Sequence, residues 1–284
     1  MQKLLVDEDL FDILLSKSLD YDLYEDLPPE DDKYYNDKED YYDFLLELLV
    51  GLILIVTYWL DSREGQLYYN QGYNLPLVFF QNLDKSLTDY IYTNSDRISD
   101  FIRKFFTNGL KDGYSSLNLP YNASYLDLIR QRALSFVEHT NFDYIQNVSN
   151  TLKEDIRKTL EEGIREGKSV DEIKKSLEEL PIQKSATGKF SPAQRAEMIA
   201  KTEYMRAYHS GVISVFEEYG VEYVNIINHG GNVCDYCIDL NSRNPWKIED
   251  AKYLIPAHPR CKCTFEPVVS SEFNLQNFDY NYTY

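Results

Sequence analysis

Val221-Glu-Tyr-Val-Asn-Ile-Ile-Asn228 leads into Cys234-Asp-Tyr-Cys237 and, 20 residues later, into His258-Pro-Arg-Cys261-Lys-Cys263. VEYVNIIN is short and β-branched and follows Gly220, which predicts a strand opening after a helix stop. The four cysteines of the chain all lie between 234 and 263, which points to one local site and not to a disulfide framework. Two cysteines separated by two residues let a tight turn aim both thiolates at one point, half of a tetrahedral zinc site. The other half must come from His258, Cys261 and Cys263, so five candidates compete for four positions. On an extended strand Cys261 and Cys263 share a face, and His258 approaches through the turn at Pro259. Disulfides and free thiols are the alternatives, the first disfavoured in a cytosolic chain. A closed, thiolate-rich site fixes a fold, whereas hydrolytic zinc keeps an open position, so the expected cofactor is structural zinc.

Upstream of the strand the pattern is helical. Val148, Leu152, Ile156, Leu160 and Ile164 recur every four residues as one apolar stripe that stops near Gly167. Ser169-Val-Asp-Glu172 is a capping box for a short helix whose Val170, Ile173, Leu177 and Leu180 share a face before Pro181. A loop over 182–190 carries Lys184 and Lys189. Ser191-Pro192-Ala193-Gln194 is a second capping box, and its helix can run to Tyr219. Between about 65 and 145 mixed helical patterning includes Leu87, Tyr90, Ile91, Ile98, Phe101, Ile102, Phe105 and Phe106. The expected class is α+β, predominantly α-helical: a helical N-terminal region followed by a helix-strand module with a small Cys/His zinc-stapled β element.

The N-terminus is a different electrostatic object. The chain has 284 residues, 43% hydrophobic, enough for one or two packed domains, with a net charge of −18. Residues 1–43 hold 15 Asp/Glu against 4 Lys/Arg, so −11 of that charge is local. Such acidity does not support nonspecific DNA binding. The run from Tyr21 to Tyr42 reads either as a solvated acidic tail or as a docking arm, with Tyr34, Tyr35, Tyr41 and Tyr42 as contact area and Trp59 beyond it. Phe44 to Leu60, FLLELLVGLILIVTYWL, is shorter than a membrane span, contains Glu47, and is flanked by Asp43 and Asp61 without basic anchors. It is expected to be covered by protein, as a docking element, and no membrane span is expected. Acid at Asp7, Glu8 and Asp9 interrupts any secretory h-region, so synthesis in a cytosol is expected.

Enzyme signatures are not met. None of His139, His209, His229 and His258 begins the H-x-E of a zinc deaminase, and H-E-x-x-H and G-x-S-x-G are missing from the sequence. Gly163-Ile-Arg-Glu-Gly167-Lys168-Ser169 has three residues between its glycines where a phosphate loop needs four. Glu203 and Arg206 are three apart on one helix, an ordinary ion-pair spacing, with a positioned catalytic carboxylate as the alternative. No catalytic residue is assigned.

The C-terminal half resembles the Mu-F-like head-morphogenesis proteins, the minor head proteins of tailed phages. The resemblance is carried by Glu162-Gly163-Ile-Arg-Glu-Gly-Lys-Ser169-Val-Asp-Glu-Ile, by Ala196-Glu-Met-Ile-Ala-Lys-Thr-Glu203 through Arg206-Ala-Tyr208, by Cys234-Asp-Tyr-Cys237 and by His258-Pro-Arg-Cys261-Lys-Cys263-Thr, in that order. It covers about residues 148 to 268. Lys201 stands where the family usually has Arg, and Asn241-Ser-Arg-Asn-Pro-Trp246 replaces its Gly-containing turn. The resemblance implies a low-copy virion component at the portal vertex inside the head, with portal and other capsid proteins as partners. Some members of the family are thought to bind DNA or to leave with the genome. The expected organisation is an acidic Tyr-rich arm (1–43), a helical docking region (44–147), the Mu-F-like domain with the zinc site (148–268) and a flexible tail (269–284). The rival readings are a toxin-like or nucleotide-acting enzyme using Glu203, His209 or His229, and a zinc-stabilised adaptor.

Overall fold

The structure is a computed structural model; the residues it describes are 33–62, 65–66, 85–86, 88–90, 92–121, 150, 152, 154–163, 165–180, 192–230 and 233–269. The acidic run before residue 33, the loop over 182–190, Ser191 and the tail after residue 269 lie outside the described residues. The chain divides into two compact units, residues 1–98 with 141–200 and residues 99–140 with 201–284. The units are thus discontinuous in sequence, whereas the sequence suggested a linear boundary at 147/148.

In the first unit, helix α1 (Tyr35–Asp61) contains the whole apolar run. Leu46, Val50, Ile53, Val56 and Leu60 are fully buried along it. Its one charge within that run is neutralised locally: Arg97 bridges Glu47 at 3.1 Å and stacks over Phe44 at 4.4 Å from the ring centroid. The helix ends where Ser62 becomes extended, its Oγ donating to the Trp59 carbonyl at 2.6 Å and accepting from the Gly65 N–H at 3.0 Å. By length and composition Asn36–Asp61 could cross a membrane, with a mean hydropathy of 2.0, but 72% of that window is buried by protein.

This helix corrects two expectations. It starts at Tyr35, so residues 35–43 are not an extended arm. Tyr41 and Tyr42 are 0% and 3% exposed, with Tyr41 stacked on Phe44 at 6.3 Å between ring centroids, so these rings fill the core and offer no contact area to a partner. The physical reason is that they extend the buried face of α1 backwards by one turn, and a neutral aromatic gains more from burial than from solvent. Likewise the apolar segment Phe44 to Leu60, assigned to docking by sequence, is mostly covered within the chain's own fold.

Helix α2 (Ser95–Ser116) buries Ile98, Ile102, Phe105, Phe106 and Leu110 at helical spacing. Residues 154–163 are helical, with Ile156 and Leu160 buried, and Gly167 closes this region at φ +70°. Helix α3 (Val170–Glu178) is built as its sequence reads: Ser169 Oγ accepts from the Glu172 N–H at 3.3 Å, and Glu172 Oε2 accepts from the Ser169 N–H at 2.8 Å. It buries Ile173 and Leu177, and Lys174 reaches Asp61 of α1 at 2.7 Å.

Helix α4 (Pro192–Glu218) ends at Gly220 (φ +68°), with the Val221 N–H donating back to the Phe216 carbonyl at 2.9 Å. Within the second unit α2 and α4 cross at Gly109 and Gly211. A Cβ on Gly109 would collide with the Tyr208 carbonyl, and one on Gly211 with the Phe106 carbonyl.

The second unit also holds a small antiparallel sheet. Strand β1 (Tyr223–Ile227) is central, between β2 (Trp246–Lys247) and β3 (Thr264–Pro267), in the order β2-β1-β3. Helix α5 (Asp235–Ser242) connects β1 to β2, and the single turn α6 (Ile248–Ala251) follows β2. Val224 pairs with Trp246 and Ile226 with Phe265. Two residues further along β1 a side chain takes over from the short β2. Asn244 Oδ1 accepts from the Ile226 N–H at 2.8 Å and its Nδ2 donates to the Ile226 carbonyl at 2.9 Å, a carbonyl that also accepts from Asn241 Nδ2 at 2.7 Å. The α-helical chain with a three-stranded element is therefore the α+β class read from sequence.

Candidate metal centre

Two turns in the second unit bring the sulfur and imidazole donors together. Cys234 is the N-cap of α5, and its Sγ accepts from the Cys237 N–H at 3.4 Å. One helical turn is enough to move Cys237 from this exposed cap into the interior, where it is 2% exposed. The far end of α5 is pinned by Trp246, whose Nε1 donates to the Leu240 carbonyl at 2.9 Å. In the second turn the Cys261 N–H donates to the His258 carbonyl at 3.1 Å. Arg260 takes the left-handed conformation there (φ 63°), and its N–H donates to Thr202 Oγ1 of α4 at 3.3 Å.

The donors converge on Cys237. Cys234, Cys237 and His258 present ligand atoms all within 4.8 Å of one another, and so do Cys237, Cys261 and Cys263. Cys237 Sγ lies 3.3 Å from His258 Nε2 and 3.9 Å from Cys261 Sγ. Zinc–sulfur bonds of about 2.3 Å and zinc–nitrogen bonds of about 2.0 Å at tetrahedral angles require edges of about 3.8 Å for S···S and about 3.6 Å for S···N. The two separations measured from Cys237 are close to these values, so the donors about Cys237 suit an ion of that size. The cluster could hold a metal ion.

The electrostatics suit ligation. The Cys237 N–H holds the Cys234 thiol below its usual range. The neighbouring Cys263 side chain brings Cys261 down to about 5, against the effect of burial. Burial pushes Cys237 up to about 12, and its hydrogen bond with Cys261 followed by burial pushes Cys263 up. Burial opposes charge on His258, but the Pro259 carbonyl and the neighbouring Cys261 and Cys234 outweigh it and raise its pKa. A cation placed here would meet groups already biased towards the anionic form at Cys234 and Cys261.

One detail differs from the sequence reading. Cys261 and Cys263 precede β3 and do not lie in it, yet both are buried beside Cys237. Residues that the pattern did not single out also shape the site: Thr202 braces the second turn, Asn228 meets Cys263 Sγ at 3.3 Å, and Asn244 fixes the strand beside α5. Single polar residues in a loop carry no periodic signal, so only their tertiary partners mark them.

The docking candidates do not form a common site. Tyr34 and Trp59 are half-buried near opposite ends of α1, while Tyr41 and Tyr42 are internal; the Tyr35 side chain lies outside the described residues. The residues weighed for catalysis are also dispersed in environment. Glu203 is 1% exposed, with Arg206 Nε 3.2 Å from its Oε2, and burial outweighs that ion pair to raise its pKa. His209 is buried against Phe265 with ring centroids 5.1 Å apart, beside the Cys263 and Ile255 backbone. His229 is exposed and its Nε2 meets Thr264 Oγ1 at 2.7 Å.

Residues 154–266, 113 of the 284, match the family model described as Phage Mu protein F like protein. The matched segment contains α3, α4, the sheet and every candidate metal ligand. No curated protein and no solved structure matches the chain.

Proposed function

We propose that this protein acts in phage head morphogenesis as a minor capsid component bound at the portal vertex inside the head, with its Mu-F-like segment stapled by a structural zinc ion. The observation that carries this reading is the family match over residues 154–266, which encloses the capping box, the α4 helix and the whole Cys/His cluster as one ordered series. Zinc is the metal of choice because thiolates and an imidazole at tetrahedral separations suit a borderline-soft ion without geometric preference of its own. The role is structural and not catalytic: Glu203 already serves an ion pair within α4, and the cluster supplies enough donors to close the coordination sphere.

Portal and other capsid proteins are the proposed partners. The net charge of −18 favours basic protein surfaces over nucleic acid, and inside a DNA-filled head it would let the protein pass the genome without sticking, as ejection requires. Docking is assigned to the N-terminal region outside the buried face of α1, including the acidic run before residue 33 and the half-buried Tyr34 and Trp59.

Mass spectrometry and immunogold labelling of purified particles test this directly. The protein should be present at a few copies per particle, labelled at one vertex, and zinc should accompany the purified protein at one equivalent. Its absence from particles would sink the assembly reading, and less than a tenth of an equivalent of metal would sink the zinc.

A further inference from the structure

Five candidate donors fall into two triads that share Cys237, one with Cys234 and His258 and one with Cys261 and Cys263, whereas a tetrahedral ion takes four ligands. We infer that the ion is held by Cys234, Cys237, His258 and Cys261, and that Cys263 stands outside the coordination sphere as a hydrogen-bond donor to Asn228. This rests on the metal reading above and goes further by assigning the ligands.

The first ground is the repetition of one local device. Cys234 and Cys237 are separated by two residues, and so are His258 and Cys261. Each pair is closed by a hydrogen bond across the turn. In the first, Cys234 Sγ accepts from the Cys237 N–H at 3.4 Å; in the second, the His258 carbonyl accepts from the Cys261 N–H at 3.1 Å. The second turn needs Arg260 in the left-handed region, and Thr202 holds it there through the Arg260 N–H. A non-glycine residue is seldom kept in that conformation, and here it serves a turn that places His258 and Cys261 together.

The second ground is the tautomer of His258. Its Nδ1 lies 2.8 Å from the Pro259 carbonyl, which can only accept, so Nδ1 carries the proton. The lone pair then resides on Nε2, the nitrogen 3.3 Å from Cys237 Sγ. Metal-ligating histidines are oriented in this way, by donating the other ring N–H to a carbonyl.

The third ground is the partner of Cys263. Its Sγ donates to Asn228 Oδ1 at 3.3 Å. Cys263 lies outside both of the two-residue-spaced turns that place the other four donors, and its thiol is engaged by the Asn228 side chain. Cys263 is close to Cys237 and Cys261 because it lines the cluster, as outer-shell donors do.

X-ray absorption on the full chain loaded with zinc alone decides the assignment. The expected spectrum has three sulfurs at about 2.3 Å and one nitrogen at about 2.0–2.1 Å, with the outer-shell scattering of an imidazole ring. Competition against a chromophoric chelator supplies the second readout. Cys263→Ser keeps a donor for Asn228 and should bind zinc within about threefold of the parent, whereas His258→Ala removes a ligand and should lose more than the roughly 10–100-fold typical of an outer-shell partner. Four sulfurs without nitrogen, or a loss of affinity on Cys263→Ser that exceeds the loss on His258→Ala, overturns the assignment while leaving the metal in place. A chain that takes up no zinc at all overturns both this assignment and the metal reading beneath it.

Discussion

Cys237 and His258 are 21 positions apart, yet Sγ of the one lies 3.3 Å from Nε2 of the other. The contact closes a loop that contains most of α5 and all of β2 and α6, elements too short to be stable alone. Structural zinc in comparable small modules is worth about 10–16 kcal/mol, enough to decide whether such elements fold. Removing metal with a strong chelator should therefore abolish amide-exchange protection across residues 223–267 and leave that of α1 in place. Unchanged protection around β1 after the metal is gone would show that packing alone holds the module.

Asn244 replaces a strand at Ile226, satisfying both the N–H and the carbonyl of that residue. Asn244→Ala takes the side-chain partner from the partly buried Ile226 N–H, while the carbonyl keeps Asn241, and should cost about 1–3 kcal/mol in urea denaturation. Ser242→Ala, on an exposed residue of the same connection, should stay within about 0.5 kcal/mol. Equal effects of the two would argue against the side chain acting as a strand substitute.

Gly211 lets α4 approach α2 more closely than any side chain permits. Gly211→Ala should destabilise by about 1–3 kcal/mol through overpacking, although alanine is the better helix former. A stabilised variant would mean that the helices can separate at no cost.

Tyr41 is buried in the core and stacked on Phe44. Tyr41→Ala should lose about 3 kcal/mol of stability, in line with other aromatic truncations, while Tyr34→Ala should lose less than about 1 kcal/mol. A normal thermal midpoint for Tyr41→Ala, coupled with failure to enter particles, would restore the docking role that the structure removes.

Burial pushes the His209 imidazole down to about 3 from an ordinary 6.5, so the folded chain keeps it neutral while the unfolded chain takes up a proton. The associated stability is fully present above about pH 6.5 and is lost as the pH falls from there towards 3, at up to about 1.4 kcal/mol per pH unit. His209→Leu should flatten this part of the profile, read as the difference between variant and parent at pH 7, 6 and 5. Parallel profiles would mean that folding leaves the proton affinity of His209 unchanged.

The local devices were written in the chain. The capping box at Ser169 and Glu172, the stop at Gly220, the strand within Val221 to Asn228 and the five candidate ligands are each determined by a few neighbouring residues, and near neighbours are what a linear pattern records. Tertiary structure decided the rest. Whether Tyr41 faces a partner or the core depends on what packs against α1, and the make-up of each unit from two separate stretches of chain depends on contacts between segments distant in sequence. The parts played by Thr202, Asn228 and Asn244 depend on carbonyls, thiols and N–H groups 18 to 58 residues away. A hydrogen bond has direction as well as distance, so the choice among five adjacent donors exists only once the chain has folded around them.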